Sequence, residues 1–407
     1  MIRPSHPDRR RPGFTLVEML VVITILGILV ALLVPVIAGA VRTANEARVT
    51  GEINVMAQAL ASFKNKFGDY PPSRIILKEN GFYDVSSGDP LNNLSTGTGP
   101  WYGNNGSLQM NYAQPYTDIG AGMLTFSPTD QTYGQIAQRS LRYLRKFFPR
   151  AQFTTTGAIP STAAYGKFHD FNGNGILDPN PILLQGHECL VFFLGGIPSN
   201  DVSGGAATFN GVSGFSNDPQ WPFVTEYHLG APAATNRLRP FYEFPIERLI
   251  DDDNDGIPGY IDTLASQGQG RYFAYFSSYG GGGYDPNDVN FDANRLDEQL
   301  GTFVRRSFRT TFPVPITTGG STNLVPSDVP NPYTGSLPVP TAGSPATFIN
   351  NESYQILSAG VDRLYGLGGQ YLPNGTDRLP IDPVVTDRGL RVREQDNLSN
   401  FSTGRLE

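Results

Sequence analysis

Residues 13–41 read GFTLVEMLVVITILGILVALLVPVIAGAV, and this stretch decides the fold of the N-terminal region. From Met19 to Val41 there is no charged residue, which is enough apolar length to cross a bilayer as an α-helix. Arginines precede the run at positions 3, 9, 10 and 11, and such a basic flank stays on the cytoplasmic side. Glu18 lies at the start of the run, where a carboxylate is costly and is usually paired and functional.

The motif from Gly13 to Glu18, together with the apolar run, resembles the N-terminal signal of type IV pilins and type II secretion pseudopilins. The resemblance implies cleavage by a prepilin peptidase between Gly13 and Phe14, methylation of the new Phe14 amine, and a role of Glu18 in filament assembly. A plain signal anchor is one alternative, but it would have no use for Glu18. A removable secretory signal is the other, but its apolar core is only about 7–15 residues long and precedes the cleavage site. Here the core is longer and follows the glycine.

A second resemblance lies near the other end of the chain. Ser353–Asp362, with the sequence SYQILSAGVD, resembles the strand and turn close to the C-terminus of major pseudopilins. In that family an acidic calcium-binding tail follows the turn, whereas residues 363–380 of this chain contain few acids. Residues 396–401 are predicted to form a last short strand.

These signals predict an α+β fold, in which one long helix packs on an antiparallel sheet and large loop-rich insertions separate the strands. The helix is expected over residues 14–67, because apolar residues recur at helical spacing as far as Phe63 and Gly68 is a stop signal. The predicted domains are a leader (1–13), a transmembrane half-helix (14–41), an amphipathic half-helix (42–68) and a pilin-like extracytoplasmic domain with a large insertion (69–407).

The middle of the chain gives weaker signals. Residues 137–149 have the pattern of a short amphipathic helix, and the run CLVFFLGG at 189–196 is a buried strand or a buried helix. Strands are expected at 241–250 and from residue 271, whereas 73–117 and 312–346 are expected to be loops.

Composition excludes several functions. The formal net charge is −7, and removal of a leader with charge +3 leaves −10, so no nucleic-acid partner is expected. Cys189 is the single cysteine, which excludes an intrachain disulfide, and the thiol is expected to be buried rather than nucleophilic with His187. The four histidines occur in no Ser-His-Asp or zinc-ligand pattern, and we expect no enzymatic activity.

Two acidic loops are predicted to bind calcium as a structural cofactor. In the second loop Asp251, Asp253 and Asp255 occupy positions 1, 3 and 5, a glycine occupies position 6, Ile257 offers its carbonyl and Asp262 stands at position 12. The motif resembles the repeats of thrombospondin type 3 modules. The first loop offers Asp170, Asn172, Asn174 and Asp178 and carries less charge. The alternative is a pair of solvated Asx-Gly turns.

The function predicted from these features is that of a structural subunit, a pseudopilin or minor pilin, in a type II secretion pseudopilus or a type IV pilus-like filament. The expected partners are other subunits in a homo- or hetero-filament, the prepilin peptidase and the inner-membrane assembly platform. The chain is expected to cross the inner membrane once, with its N-terminus cytoplasmic before processing and its C-terminal domain periplasmic or on the cell surface. The alternative is an adhesin-like surface pilin whose insertion binds a surface or a glycan.

Overall fold

The structure, a computed structural model, describes part of the 407-residue chain. The described residues are 15–83, 133–155, 168–178, 181–201, 208–224, 236–251, 255–264, 271–278, 284, 288–289, 307–308, 313–314, 330–335, 348–366, 368–380 and 391–407. Gly13, Phe14 and Asp253 lie outside these ranges, as do most residues of the predicted loops at 73–117 and 312–346. The chain divides into two compact units, Met1–Ala47 and Arg48–Glu407.

Helix α1 spans Leu16–Phe67 and contributes to both units. In the first unit its large apolar side chains are exposed, as expected for a membrane-spanning segment. In the second unit the helix buries one stripe of residues at three- and four-residue spacing, which is the pattern of an amphipathic helix packed on a core. That stripe consists of Val49, Ile53, Met56, Ala59, Leu60 and Phe63.

Two further helices occur among the described residues. Helix α2 spans Tyr133–Phe147, near the predicted 137–149, and helix α3 spans Gly186–Gly195. The apolar run at 189–196 was predicted to be either a buried strand or a buried helix. Helix α3 covers nearly all of it, so the run is helical. All ten of its residues are buried, so it is a core helix without a polar face.

The described strands are short. In chain order they are β1 Ile75–Leu77, β2 Ile182–Leu184, β3 Pro198–Asp201, β4 Thr208–Val212, β5 Leu249–Ile250, β6 Gly259–Tyr260, β7 Ala274–Ser277, β8 Ser307–Phe308, β9 Pro313–Val314, β10 Tyr333–Thr334, β11 Tyr354–Ser358, β12 Gly369–Gln370 and β13 Leu398–Ser399.

The α+β class is confirmed, and within the described residues the strand pairing is divided among several small sheets. The largest described sheet has three antiparallel strands in the order β13–β11–β7, with Ile356 opposite Tyr275 and Leu357 opposite Ser399. The others are pairs, of which β10–β12 is parallel. Frequent glycines and prolines interrupt the strands, which keeps each ladder short.

Two local predictions need correction. Strand β1 lies inside the region predicted to be a loop. Its three consecutive apolar residues are too short a run to predict a strand from the sequence. Residues 241–250 are not one strand: a 3-10 turn at Ile246–Arg248 precedes the two-residue strand β5, since Pro245 disfavours a continuous ladder.

Aromatic rings fill the core against the end of α1. The Phe63 ring, fully buried, lies 5.1 Å from the ring of Phe147 on α2, 5.8 Å from that of Phe193 on α3 and 5.3 Å from that of Phe241. Such edge-to-face pairs add to the free energy gained by burying the ring area. One side chain of α1 therefore holds the two other described helices.

A half-buried ion pair contacts the second half of α1. Glu52 accepts two hydrogen bonds from the Arg248 guanidinium, one at 3.1 Å, and further bonds from the hydroxyls of Tyr242 (3.2 Å) and Tyr260. A bidentate arginine–carboxylate pair with additional donors specifies one geometry. Because Arg248 directly precedes β5, this network attaches the β5–β6 hairpin to α1.

We predict that Phe63→Ala lowers the free energy of unfolding by about 3–5 kcal/mol, because the surrounding rings cannot close the cavity. The measurement is urea unfolding of the full chain in mild detergent, followed by the fluorescence of the buried Trp221. Val55→Ala is the matched control on α1, since Val55 is 51% exposed and its truncation should change stability by less than about 0.5 kcal/mol. Equal effects of the two substitutions would contradict this account of the core.

Candidate functional site: the N-terminal segment and two acidic loops

Glu18 and Thr15 form a reciprocal cap at the start of α1. The Thr15 N–H and hydroxyl each donate to Glu18 Oε2 at 2.8 Å, and the Glu18 N–H donates to Thr15 Oγ1 at 3.2 Å. This arrangement is a capping box, which satisfies two backbone donors at a helix N-terminus. This local role of Glu18 was not predicted, although the Thr-x-x-Glu spacing is the sequence signal for it.

The rest of the apolar segment satisfies its polar groups within the helix. The Thr24 hydroxyl donates to the carbonyls of Leu20 (2.9 Å) and Val21 (2.8 Å), and the Thr43 hydroxyl donates to Gly39 O at 3.1 Å. Internal satisfaction of this kind is required in hydrocarbon, where water offers no partner. Among the described residues, α1 is the one helix long and apolar enough to cross a membrane.

The first acidic loop, residues 170–178, folds as a tight turn held by its own polar side chains. Asp170 Oδ2 accepts from the Gly175 N–H at 3.1 Å, and Asn174 Oδ1 accepts from the Ile176 N–H at 2.7 Å. Gly175 has φ 75°, a conformation that favours glycine. The amide groups of Asn172 and Asn174 both donate to Asp178 Oδ2 at 2.8 Å, so the structure brings the four predicted residues together.

Glu79, which was not predicted from the sequence, belongs to the same site. Its carboxylate accepts from the Phe171 N–H (3.1 Å) and from the Asp178 N–H (2.7 Å), about ninety residues along the chain. The β1–β2 pairing places Glu79 there, because β1 ends just before it and β2 begins just after the loop. Burial, with the negative charges of Asp170 and Asp178, raises the pKa of Glu79 to about 9. Of the three carboxyl groups, those of Glu79 and Asp170 are thus buried and that of Asp178 is half-buried.

The second loop repeats the turn of the first. Asp251 Oδ2 accepts from the Gly256 N–H at 3.0 Å, and Asp255 Oδ1 accepts from the Ile257 N–H at 2.7 Å. These are the contacts from position 1 to 6 and from position 5 to 7 that the first loop also makes. Gly256 has φ 92°, and the loop closes the β5–β6 hairpin. Asp253 lies outside the described residues.

The two loops are in direct contact. Asn172 Nδ2 donates to the backbone carbonyl of Asp255 at 3.2 Å. A Cβ atom at Gly256 would lie 2.8 Å from the Cβ of Asn172, so glycine is also needed there for the close approach of the first loop. The sequence spacing gave no sign that two loops eighty residues apart would adjoin.

Asp262 does not lie beside the other predicted calcium ligands of the second loop. It follows β6 at the end of the hairpin away from the loop, and it is buried. Its Oδ2 accepts from the Ser358 hydroxyl at 2.7 Å, and its Oδ1 accepts from the Leu264 N–H at 3.1 Å. Ile257, whose carbonyl was the predicted ligand, is a buried core residue. Within the described ranges no group of three or more His, Cys, Asp and Glu side chains is placed to hold a metal ion.

The turn after β11 brings together two acids distant in sequence. Asp396 Oδ2 accepts from the N–H groups of Val361 (2.8 Å) and Asp362 (2.9 Å). Burial and the neighbouring Asp396 raise the pKa of Asp362 to about 6. Gly360, at φ 69°, permits the contact, because a Cβ there would lie 2.3 Å from the Asp396 carbonyl oxygen. Asp396, from the closing segment of the chain, thus caps the turn that follows β11.

Cys189 and His187 show no features of a reactive pair. Both lie on α3 and are buried. Burial raises the pKa of the Cys189 thiol and lowers that of His187 to about 3. A neutral thiol and a neutral imidazole inside the core match the expectation of a buried cysteine rather than a nucleophile.

Comparison with known proteins gives two similarities. The family model described as the prokaryotic N-terminal methylation motif matches residues 8–34. The type II secretion system core protein G of Aeromonas hydrophila is 41% identical over 63 residues, which cover 16% of this chain and 44% of that protein. The chain therefore aligns with less than half the length of this relative. No solved structure matches the chain significantly.

We predict that, in the presence of a chelator, stability falls as the pH rises from about 7 to about 9, above the range in which the lowered pKa values of His169 and His187 act in the opposite sense. Because the pKa of Glu79 in the folded state lies above the unfolded value of 4.5, its stabilising contribution is complete below that value and is lost as the pH rises through about 9. Urea midpoints across this range measure the effect. Glu79→Gln, which cannot ionise, should flatten the profile, whereas the exposed control Glu247→Gln should follow the parent chain. Parallel profiles for all three proteins would refute the assignment.

Proposed function

We propose, on the premise that this is a pseudopilin or type IV pilin-like protein, that the chain is a non-catalytic structural subunit of a filament. The observation that carries the proposal is the methylation motif at residues 8–34, continued by the exposed apolar half of α1. The similarity to a type II secretion core protein favours a secretion pseudopilus over the adhesin-like surface pilin. The subunit would enter the inner membrane as a single-pass protein with an extracytoplasmic C-terminal domain.

The exposed half of α1 needs an apolar environment. Leu16, Ile23, Ile28 and Leu32 are each more than 60% exposed, and such contiguous apolar area is unstable in water. Before assembly the bilayer would cover it, and in a filament the same segments of neighbouring subunits would do so. Among the described residues of this chain nothing requires glycine at positions 27 and 39, since a Cβ at either would meet nothing within 4 Å. In a filament these glycines would let the helices of neighbouring subunits approach closely.

Assembly would depend on a charge pair between subunits. A prepilin peptidase would cut between Gly13 and Phe14, and the new amine of Phe14 would meet Glu18 of a neighbouring subunit. In a low-dielectric environment an unpaired charge costs several kcal/mol, so correct register is strongly favoured. The assembly platform and the other subunits in the filament are partners that this proposal requires.

Substitutions of Glu18 can separate its two roles. Glu18→Gln retains the capping box, for which glutamine is also suited, but removes the charge. We predict that this variant inserts in the membrane and is processed, yet enters filaments at least about tenfold less than the parent chain. Thr15→Val is the matched control, because it weakens the cap and retains the charge. Filament recovery after shearing, with membrane fractions probed in parallel, is the measurement. Normal assembly of the glutamine variant would eliminate the pairing.

Processing has its own test. In cells with a prepilin peptidase, the intact mass of the membrane-extracted chain should correspond to residues 14–407 with one added methyl group. Gly13→Val should accumulate as the full-length chain, since the peptidase site requires a residue with little or no side chain. Recovery of residues 1–13 in the mature protein would contradict the proposal.

We further propose that the two adjoining acidic loops bind calcium. The supporting observation is their common turn, in which the position-1 aspartate accepts from the position-6 glycine, with several carboxylates nearby. A divalent cation would relieve the repulsion among Glu79, Asp170 and Asp178, and oxygen donors are the ligands that calcium prefers. Asp262 would then not be a calcium ligand. Its hydrogen bond from Ser358 would instead join the end of the β5–β6 hairpin to β11.

Calcium should raise the unfolding midpoint of the full chain in detergent. At a concentration tenfold above the dissociation constant, binding to the folded state alone adds about 1.4 kcal/mol. Asp170→Asn and Asp251→Asn each should reduce the shift, whereas Asp377→Asn, remote in sequence from both loops, should not. A midpoint that is equal in calcium and in chelator, with no heat of binding by calorimetry, would refute the proposal.

A further inference from the structure

The α2 region carries a concentration of positive charge in an acidic protein. Between Asp130 and Asp170 the sequence has no acidic residue, although the chain as a whole has 37. Helix α2 exposes Arg142, Arg145 and Lys146, and Arg150 is exposed just after the helix ends.

The end of α1 extends this surface. The last turn of α1 contains Lys64 and Lys66, both exposed. The two helix ends are adjacent, since the rings of Phe67 and Phe147 lie 5.7 Å apart and Lys146 forms an ion pair with Asp69 at 2.8 Å. We call this the basic surface; it consists of Lys64, Lys66, Arg142, Arg145, Lys146 and Arg150.

Local effects explain part of this surface. Cations in the last turn of a helix interact favourably with its dipole, which accounts for the lysines of α1 and for Arg145 and Lys146. Arg145 also donates to the Phe153 carbonyl at 3.1 Å. Arg142 precedes the last turn and Arg150 follows the helix, so the dipole explains neither of them.

The chain also has an acidic counterpart. Residues 241–255 contain six acids and one arginine, and that arginine is engaged with Glu52. Glu243, Glu247 and Asp251 are exposed, and the exposed side chain of Ile246 stands beside them. We call Glu243, Glu247 and Ile246 the acidic surface, since Asp251 belongs to the second acidic loop.

The acidic surface extends farther along α1 than the basic surface does. One end lies near Lys66, whose Nζ is 5.5 Å from the ring of Phe241. The other end adjoins the level of Glu52, which pairs with Arg248, whereas the basic surface lies at the level of Lys66. Fourteen residues of α-helix separate these levels, which corresponds to about 21 Å along the helix axis. A second copy displaced along this axis would bring its acidic surface to the basic surface of the first.

We infer that the basic surface docks on the acidic surface of a second copy of this chain. The inference rests on the proposed filament role and names a contact that the ectodomain adds to the packing of the apolar helices. The contact uses different patches on the two copies, so it is heterologous and extends into an open helical array. The net charge of the chain opposes random association, whereas complementary patches fix orientation and register.

Charge reversal tests the contact in cells that contain the assembly machinery. Arg142→Glu with Arg150→Glu should lower filament recovery about tenfold, because attraction becomes repulsion at two exposed pairs. Glu243→Lys with Glu247→Lys should do the same. Co-expression of these two chains should restore recovery between unlike copies, which a folding defect in either chain would not allow. Arg405→Glu, on an exposed ion pair near the C-terminus, is the control that should leave recovery unchanged.

Cross-linking supplies an independent readout. A chain with Pro149→Cys and a chain with Ile246→Cys should form a dimer with a bismaleimide only when both are present, and the buried Cys189 should remain silent. Unchanged recovery after either double reversal, or no rescue on co-expression, would overturn the contact. If recovery fell only for the chain with Arg142→Glu and Arg150→Glu, the contact would also be overturned, because the basic surface would then bind a different anionic partner. If the parent chain forms no filament, the proposed function itself fails.

Discussion

The structure depends on one constraint: the apolar half of α1 has large side chains that are exposed over its whole length. Water is an unfavourable environment for such a surface, so lipid or neighbouring helices must cover it. The same helix continues into the second unit, where its stripe from Val49 to Phe63 is fully packed. One continuous element therefore serves two environments, and its amino-acid pattern changes from uniformly apolar to amphipathic at the boundary.

The second unit is held together by contacts to α1 rather than by a large sheet or a disulfide. Phe63 contacts rings on two helices, and Glu52 accepts hydrogen bonds from Tyr242, from Arg248 just before β5 and from Tyr260 in β6. The hairpin carries the second acidic loop, which contacts the first. A chain of direct contacts thus runs from α1 to both loops, so any cation held there would act on elements already attached to the helix.

The sequence predicts the parts of this arrangement that are local. Helix α1 ends at Phe67, just before Gly68, because a periodic pattern and a stop signal lie within a few residues of each other. The turns at 170–178 and 251–258 follow from Asx-Gly spacing. Glu79, the packing of Asn172 on Gly256, and the meeting of Asp362 with Asp396 could not be predicted. Each joins segments that are distant along the chain, and no spacing rule encodes such pairs.

The division of α1 between two environments is the central claim, and cysteine accessibility measures it most directly. Single cysteines at Leu29 and Val55 would be introduced in the full chain, in spheroplasts that lack the assembly platform. Cys189, fully buried, adds little background. The account predicts that a membrane-impermeant maleimide labels the cysteine at 55 and leaves the one at 29 unlabelled until the membrane is dissolved. Equal labelling of both positions in intact spheroplasts would contradict it.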